Sequence, residues 1–161
     1  MMRRVSFIAV ILWASVSFAQ NATNTKKYDT INDYSGGLAW AELNGKWGLI
    51  DSIGNEVIPL KYDEVKNFNE GFAPVKLDGK WGYVTKTGKE ITSFKYDAAY
   101  PFVEERAIVE LGEKSGFIDP TGKEVIPLIY ERVSIFNKGR AAVKLGRTFY
   151  VDKYGKEIPR Q

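Results

Sequence analysis

Four acidic side chains, Asp29, Asp63, Asp97 and Glu131, each follow a tyrosine and recur every 34 residues. Carboxylates are the main reactive groups available, because the 161 residues include no histidine and no cysteine. That composition removes the usual triads, thiol nucleophiles and zinc sites. Two carboxylates at a suitable separation can hydrolyse a glycosidic bond, but acids in repeated columns are what scaffold positions look like. An aspartate in a turn accepts hydrogen bonds from nearby backbone amides. Asp29, Asp63 and Asp97 are therefore expected to fasten turns rather than to form an acidic metal site. The chain is read as a non-enzyme without catalytic residues, cofactor or metal, and a cryptic carboxylate glycosidase ranks third among its functions.

The other candidate chemistry is aromatic. Trp40, Trp47, Trp81 and Tyr83 would share one hairpin face with Leu49 and Phe117, and a row of indole and phenol rings can stack on the apolar faces of sugars. The competing reading is that this face is covered by the segment carrying Tyr62, Val65 and Phe68 and its copies, whose rings must pack somewhere. For Trp47 and Trp81, each beside a glycine, the covered reading is preferred. Trp40 differs, because its column reads Trp40, Pro74, Ile108, Ala142 and does not repeat. It is either a cap over an open end or a contact residue.

The elements that must position these groups follow from the period. A fixed interval in this range marks a repeat architecture. Its columns include Ala39, Ala73, Ala107, Ala141; Gly48, Gly82, Gly116; and Tyr34, Phe68, Phe102, Phe136, with the match running from Lys27 to Pro159. Within a unit the apolar period is two, as in Ala73, Val75 and Leu77, which indicates half-buried strands. Asn44-Gly45 and Asp78-Gly79 suit a two-residue turn with positive φ at both positions, and Gly112-Glu113 suits the other primed type. A turn at Asp78-Gly79 sets Lys76 opposite Trp81, Pro74 opposite Tyr83 and Ala73 opposite Val84. In the fourth unit, one residue shorter, a turn at Gly146-Arg147 would put Tyr150 opposite Val143, so a bulge or altered cap must absorb the deletion. Third strands are expected over Glu56 to Leu60 and Glu124 to Leu128, where Pro59 and Pro127 force a bend, an end or an edge. The column Glu42, Lys76, Glu110, Lys144 alternates in sign; it is read first as solvated outward charge, and it would form a charge ladder only if equivalent strands stacked.

Gly45-Lys46-Trp47-Gly48 and Gly79-Lys80-Trp81-Gly82, each followed by an apolar residue, then Gly54 or Gly88, then Tyr62-Asp63 or Tyr96-Asp97, resemble the bacterial WG-repeat (KWG-repeat) family. Ser115 and Thr148 stand where that pattern has tryptophan. The resemblance implies a secreted or surface-associated all-β repeat protein and brings no catalytic residue or cofactor with it. The expected fold is all-β, a tandem array of four 34-residue hairpin units in an elongated, twisted, solenoid-like stack, with a compact closed propeller as the alternative.

Residues 1–19 read as a signal peptide: Arg3 and Arg4 precede an apolar run from Val5 to Phe18 and small residues precede a cleavage point between Ala19 and Gln20. Residues 20–26 form a polar leader and 27–161 the four-unit domain. The signal holds two arginines and no acid, so cleavage removes two of the three excess positive charges. The nearly neutral remainder makes nucleic acid an unsuitable partner, and after cleavage no segment is expected to hold a membrane. The functional expectation is an exported, periplasmic or secreted, non-catalytic module that binds an envelope protein, with glycan binding through the aromatic face as the alternative.

Overall fold

The computed structural model describes residues 27–159; the signal peptide, its cleavage point and the polar leader lie outside the described residues. Each 34-residue unit forms one small antiparallel sheet, a layer. The first contains β1 (Thr30–Ile31), β2 (Leu38–Leu43), β3 (Lys46–Asp51) and β4 (Glu56–Tyr62), in that order. The second contains β5 (Glu64–Val65), β6 (Phe72–Leu77) and β7 (Lys80–Thr85). The third runs β8 (Ala98–Ala99), β9 (Ala107–Leu111), β10 (Lys114–Ile118), β11 (Glu124–Tyr130), and the fourth β12 (Arg132–Val133), β13 (Arg140–Leu145), β14 (Arg147–Asp152), β15 (Glu157–Ile158).

Turn chemistry sets the central hairpin of each layer. Asn44 and Gly45 have φ of 53° and 77°, and Asp78 and Gly79 have 50° and 79°, the left-handed pair that matches the twist of the flanking strands. The second hairpin pairs Lys76 with Trp81, Pro74 with Tyr83 and Ala73 with Val84, the expected register. In the fourth layer the missing residue is lost from the turn itself: Leu145 pairs with Arg147 around Gly146, so Ala142 faces Tyr150 and Val143 faces Phe149. Tyr150 is thus not opposite Val143, and the inward and outward alternation of the other layers is kept.

The third strands run farther than expected, to Tyr62 and Tyr130, and both lie at sheet edges. Their pairing shifts register between Trp47 and Leu49 and between Ser115 and Phe117, at the level of Pro59 and Pro127, which cannot donate to a ladder. The shifted backbone explains two members of the glycine column. A Cβ on Gly48 would lie 2.6 Å from the Ile58 carbonyl oxygen, and one on Gly116 equally close to that of Ile126. At Gly82, whose layer lacks the long third strand, a Cβ would instead meet the Phe94 ring at 2.9 Å.

The layers stack face to face, and each interface follows one rule. The face of large side chains in one layer packs on the small face of the next, with the tyrosine segment wedged between. Trp40, Leu49, Ile58 and Tyr62 meet Ala73, Val75 and Val84; Trp81, Tyr83, Tyr96 and Phe102 meet Ala107, Val109 and Ile118; Phe117, Ile126, Tyr130 and Phe136 meet Ala141, Val143 and Val151. Burying each branched or aromatic side chain of this size contributes roughly 1.5–3 kcal/mol. A fourth cluster, Tyr28, Ala39, Ala41 and Ile50, belongs to the first layer alone. No buried cluster of the described residues joins the fourth layer to the first, so the architecture is the open, solenoid-like stack and not a closed ring.

Candidate functional site

The acids after the tyrosines sit at the hairpin tips. Asn44 N–H donates to Asp29 Oδ2 at 2.8 Å, Gly79 N–H to Asp63 Oδ2 at 3.5 Å, Gly112 N–H to Asp97 Oδ2 at 2.7 Å and Gly146 N–H to Glu131 Oε1 at 3.0 Å. Two of them also receive a lysine from the layer before: Lys46 pairs with Asp63 and Lys80 with Asp97, both at 2.5 Å. These ammonium partners, reinforced by the turn amides, hold the carboxyls of Asp63 and Asp97 below the usual carboxylate range. Lys144 and the Gly146 amide do the same for Glu131. Among the described residues, no group of three or more acidic side chains is placed to hold a metal ion.

The alternating charge column does not form a ladder. Lys76 pairs with Glu64 at 2.6 Å and Lys144 with Glu131 at 2.9 Å, while Glu42 accepts from the Gly45 amide and Glu110 from the Tyr100 hydroxyl. Each member finds its partner inside its own layer, because stacked layers are separated by the buried faces and the tyrosine wedge.

The four aromatic candidates have different surroundings. Tyr83 is fully buried, and its hydroxyl donates toward the carbonyls of Tyr100 (2.7 Å) and Ile108 (3.2 Å) while accepting from the Tyr100 amide at 3.1 Å. Burial pushes this phenol far above the ordinary tyrosine range, against the opposing effect of the Tyr100 backbone. Trp81 is buried beneath the Lys66 ammonium, which stands 4.6 Å from its ring centroid and donates to the Ala99 carbonyl. Trp47 is half-buried and faces Tyr62 across the β3–β4 ladder. Trp40, expected as a cap or a contact residue, is buried and lies parallel to Phe68 at 5.3 Å. An open row of rings across the hairpin face is therefore absent, since the next layer and the tyrosine wedge occupy that space.

A cleft of about 660 Å³ lies open between the first and second layers. Its lining combines the apolar Ile31, Leu38, Ala39, Trp40 and Leu49 with Asn32, Asp33, Tyr34 and Ser35 of the β1–β2 loop and Asn67, Phe68 and Lys86 of the second layer. The volume falls in the range of roughly 300–1,000 Å³ common for ligand sites. Tyr34 is 43% exposed; partial burial, with Asp51 adding to it, raises its phenol above the ordinary value. Trp40 Nε1 is buried and has no hydrogen-bond partner. Of the aromatic candidates only Trp40 lines this cleft. Sequence reasoning missed Tyr34, Asp33 and Lys86, although Tyr34 was visible as the one tyrosine in a column of phenylalanines.

The WG-containing repeat family model matches four times, over residues 25–47, 47–81, 81–114 and 116–157. The chain belongs to the WG-containing repeat family. The second match runs from Trp47 to Trp81, whereas the layers of this WG-repeat protein begin at the tyrosines, so the matches over 47–81, 81–114 and 116–157 each span two adjoining sheets. Among curated proteins nothing matches. Among solved structures the chain is similar to a plant lectin with two metal-binding sites from Cicer arietinum, at 13% identity and a TM-score of 0.31, over 82% of this chain and 92% of that one. A likeness at that score carries no argument about this WG-repeat protein.

Proposed function

We propose that this protein is an exported, non-catalytic binding module of the cell envelope that engages an envelope protein or a glycan at the cleft between its first two layers. The cleft itself carries the reading. It is concave, its lining mixes apolar and polar side chains, and it lies where Trp40 and Tyr34 depart from their repeat columns. The acids that a hydrolase would need are bonded to turn amides and lysines, which suits a scaffold. Export rests on the signal-like sequence of residues 1–19, and mass spectrometry of the secreted protein should find an N-terminus at Gln20; a start upstream of it would remove that part. Binding is tested with a glycan array beside affinity capture from envelope fractions, using the wild type and Tyr34→Ala. A ligand of either class lost on Tyr34→Ala supports the cleft, and ligands that ignore this substitution count against it.

A further inference from the structure

The lining of the first cleft favours one class of ligand, and we infer that it seats a pyranose ring of a glycan, an inference that rests on the cleft being the contact region. The lining includes Asn32, Asp33 and Ser35 from the first layer and Asn67 and Lys86 from the second. Together they offer donors and acceptors in mixed order: two amides, a hydroxyl, a carboxylate and an ammonium. Sugar hydroxyls both donate and accept, so such a ring can satisfy every member of this set. An apolar peptide anchor would instead cover these groups and leave them without partners, at a cost of order 1–3 kcal/mol each.

One further observation points the same way. Tyr34 keeps 43% of its surface open, while Phe102 and Phe136 of the same column are buried in their interfaces. It presents a ring for the apolar face of a sugar and a hydroxyl that no other member of the column possesses. The row of open rings, the alternative reading of the aromatic face, is replaced by one open cleft.

The experiment is a titration of the mature protein with cellohexaose, chitohexaose and a galacturonate oligomer, read by calorimetry and by the indole N–H resonance of Trp40. Saturable binding of at least one probe, with a shifted Trp40 resonance, is expected. Tyr34→Ala and Asp33→Ala should each weaken it by about tenfold at unchanged melting temperature, since both residues are exposed. Tyr154→Ala, at a ring 82% exposed in the fourth layer, should change nothing. Absence of saturable binding at millimolar probe, or binding that survives the Tyr34→Ala and Asp33→Ala pair, overturns the inference. Hydrogen exchange separates the two levels. A protein partner that protects residues 32–38 while no sugar binds removes the glycan and keeps the cleft; a ligand that protects only other residues removes both.

Discussion

The first and second interlayer interfaces share a backbone plan but not their fastenings. At the second, Lys66 crosses to the Ala99 carbonyl at 2.8 Å and Asn69 Nδ2 to the Phe102 carbonyl at 2.7 Å. Glu70 accepts from the amides of Glu104 and Glu105 at 2.9 and 2.8 Å, and the Tyr83 hydroxyl bonds to the third layer. The corresponding positions of the first layer are Asn32, Ser35, Gly36 and Leu49. None of the four appears among the hydrogen bonds that cross to the second layer, and three of them line the open cleft. The third interface is intermediate, keeping the acid at Glu104 on the amides of Lys138 and Gly139 but replacing the tyrosine with Phe117, edge-on to Phe136 at 5.0 Å. The difference teaches that hydrophobic stacking suffices to assemble the layers, and that polar cross-ties decide whether the seam between two of them is shut.

The largest test of that contrast is a pair of truncations. Phe102→Ala, at a fully buried ring against Tyr83 and Phe72, should cost about 3–5 kcal/mol in urea unfolding. Phe68→Ala, at the half-buried counterpart in the first seam, should cost roughly half as much. Equal losses would break the comparison. Next in size is Tyr83→Phe, which strips the hydroxyl from the Tyr100 and Ile108 backbone and should cost about 1–3 kcal/mol. The same residue gives an alkaline signature. Its phenol is raised in the folded state, so its contribution is complete below the unfolded tyrosine value of about 10 and is lost as pH rises above it. In an absorbance titration Tyr83 should ionise only as the chain unfolds.

A smaller effect belongs to both seams. Asp63 and Asp97 have depressed carboxyl values owing first to Lys46 and Lys80. Their stabilisation is present above the ordinary carboxylate value of about 3.9 and is lost as pH falls through the lower folded value. The melting temperature should drop in that acid window, and Lys80→Gln should make the drop shallower. The smallest expected effect is the most specific. Gly36→Glu would restore to the first seam the acid that Glu70 supplies to the second, at a position whose φ of 61° resembles the 49° of Glu70. Stability should change by less than about 1 kcal/mol, because the new bonds are offset by a non-glycine residue in the left-handed region. Amide exchange at Glu70 and Gly71 should slow, and ligand binding should weaken as the seam closes.

Much of this was readable from local chemistry. Asn44-Gly45 and Asp78-Gly79 specify their turns, a turn specifies register, and register puts Ala73 and Tyr83 on opposite faces. The tyrosine wedge was inferable because its rings had no other place to go. The fourth hairpin was readable only as a problem, since a deletion near Gly146 can fall in the turn or in either strand, and its loss from the turn is what keeps Ala141 inward. The charge column failed because sequence reports period and not the offset between stacked sheets. The cleft was illegible for a related reason: it joins Tyr34 to Lys86, more than one period apart, across a seam whose openness depends on four absent cross-ties. The breaks at Asn32, Ser35, Gly36 and Leu49 were in view, but they acquire meaning only once Lys66, Asn69, Glu70 and Tyr83 are seen to bridge layers.

The rule that each large face meets the small face of the following layer gives the stack a direction, like a row of identical cups nested one way. Its two ends are therefore unlike, and a gene segment encoding one period can be gained or lost between any two cups without exposing a face that the remaining ones cannot cover. Lineages can lengthen or shorten such a protein by recombination while the first seam keeps its private set of residues.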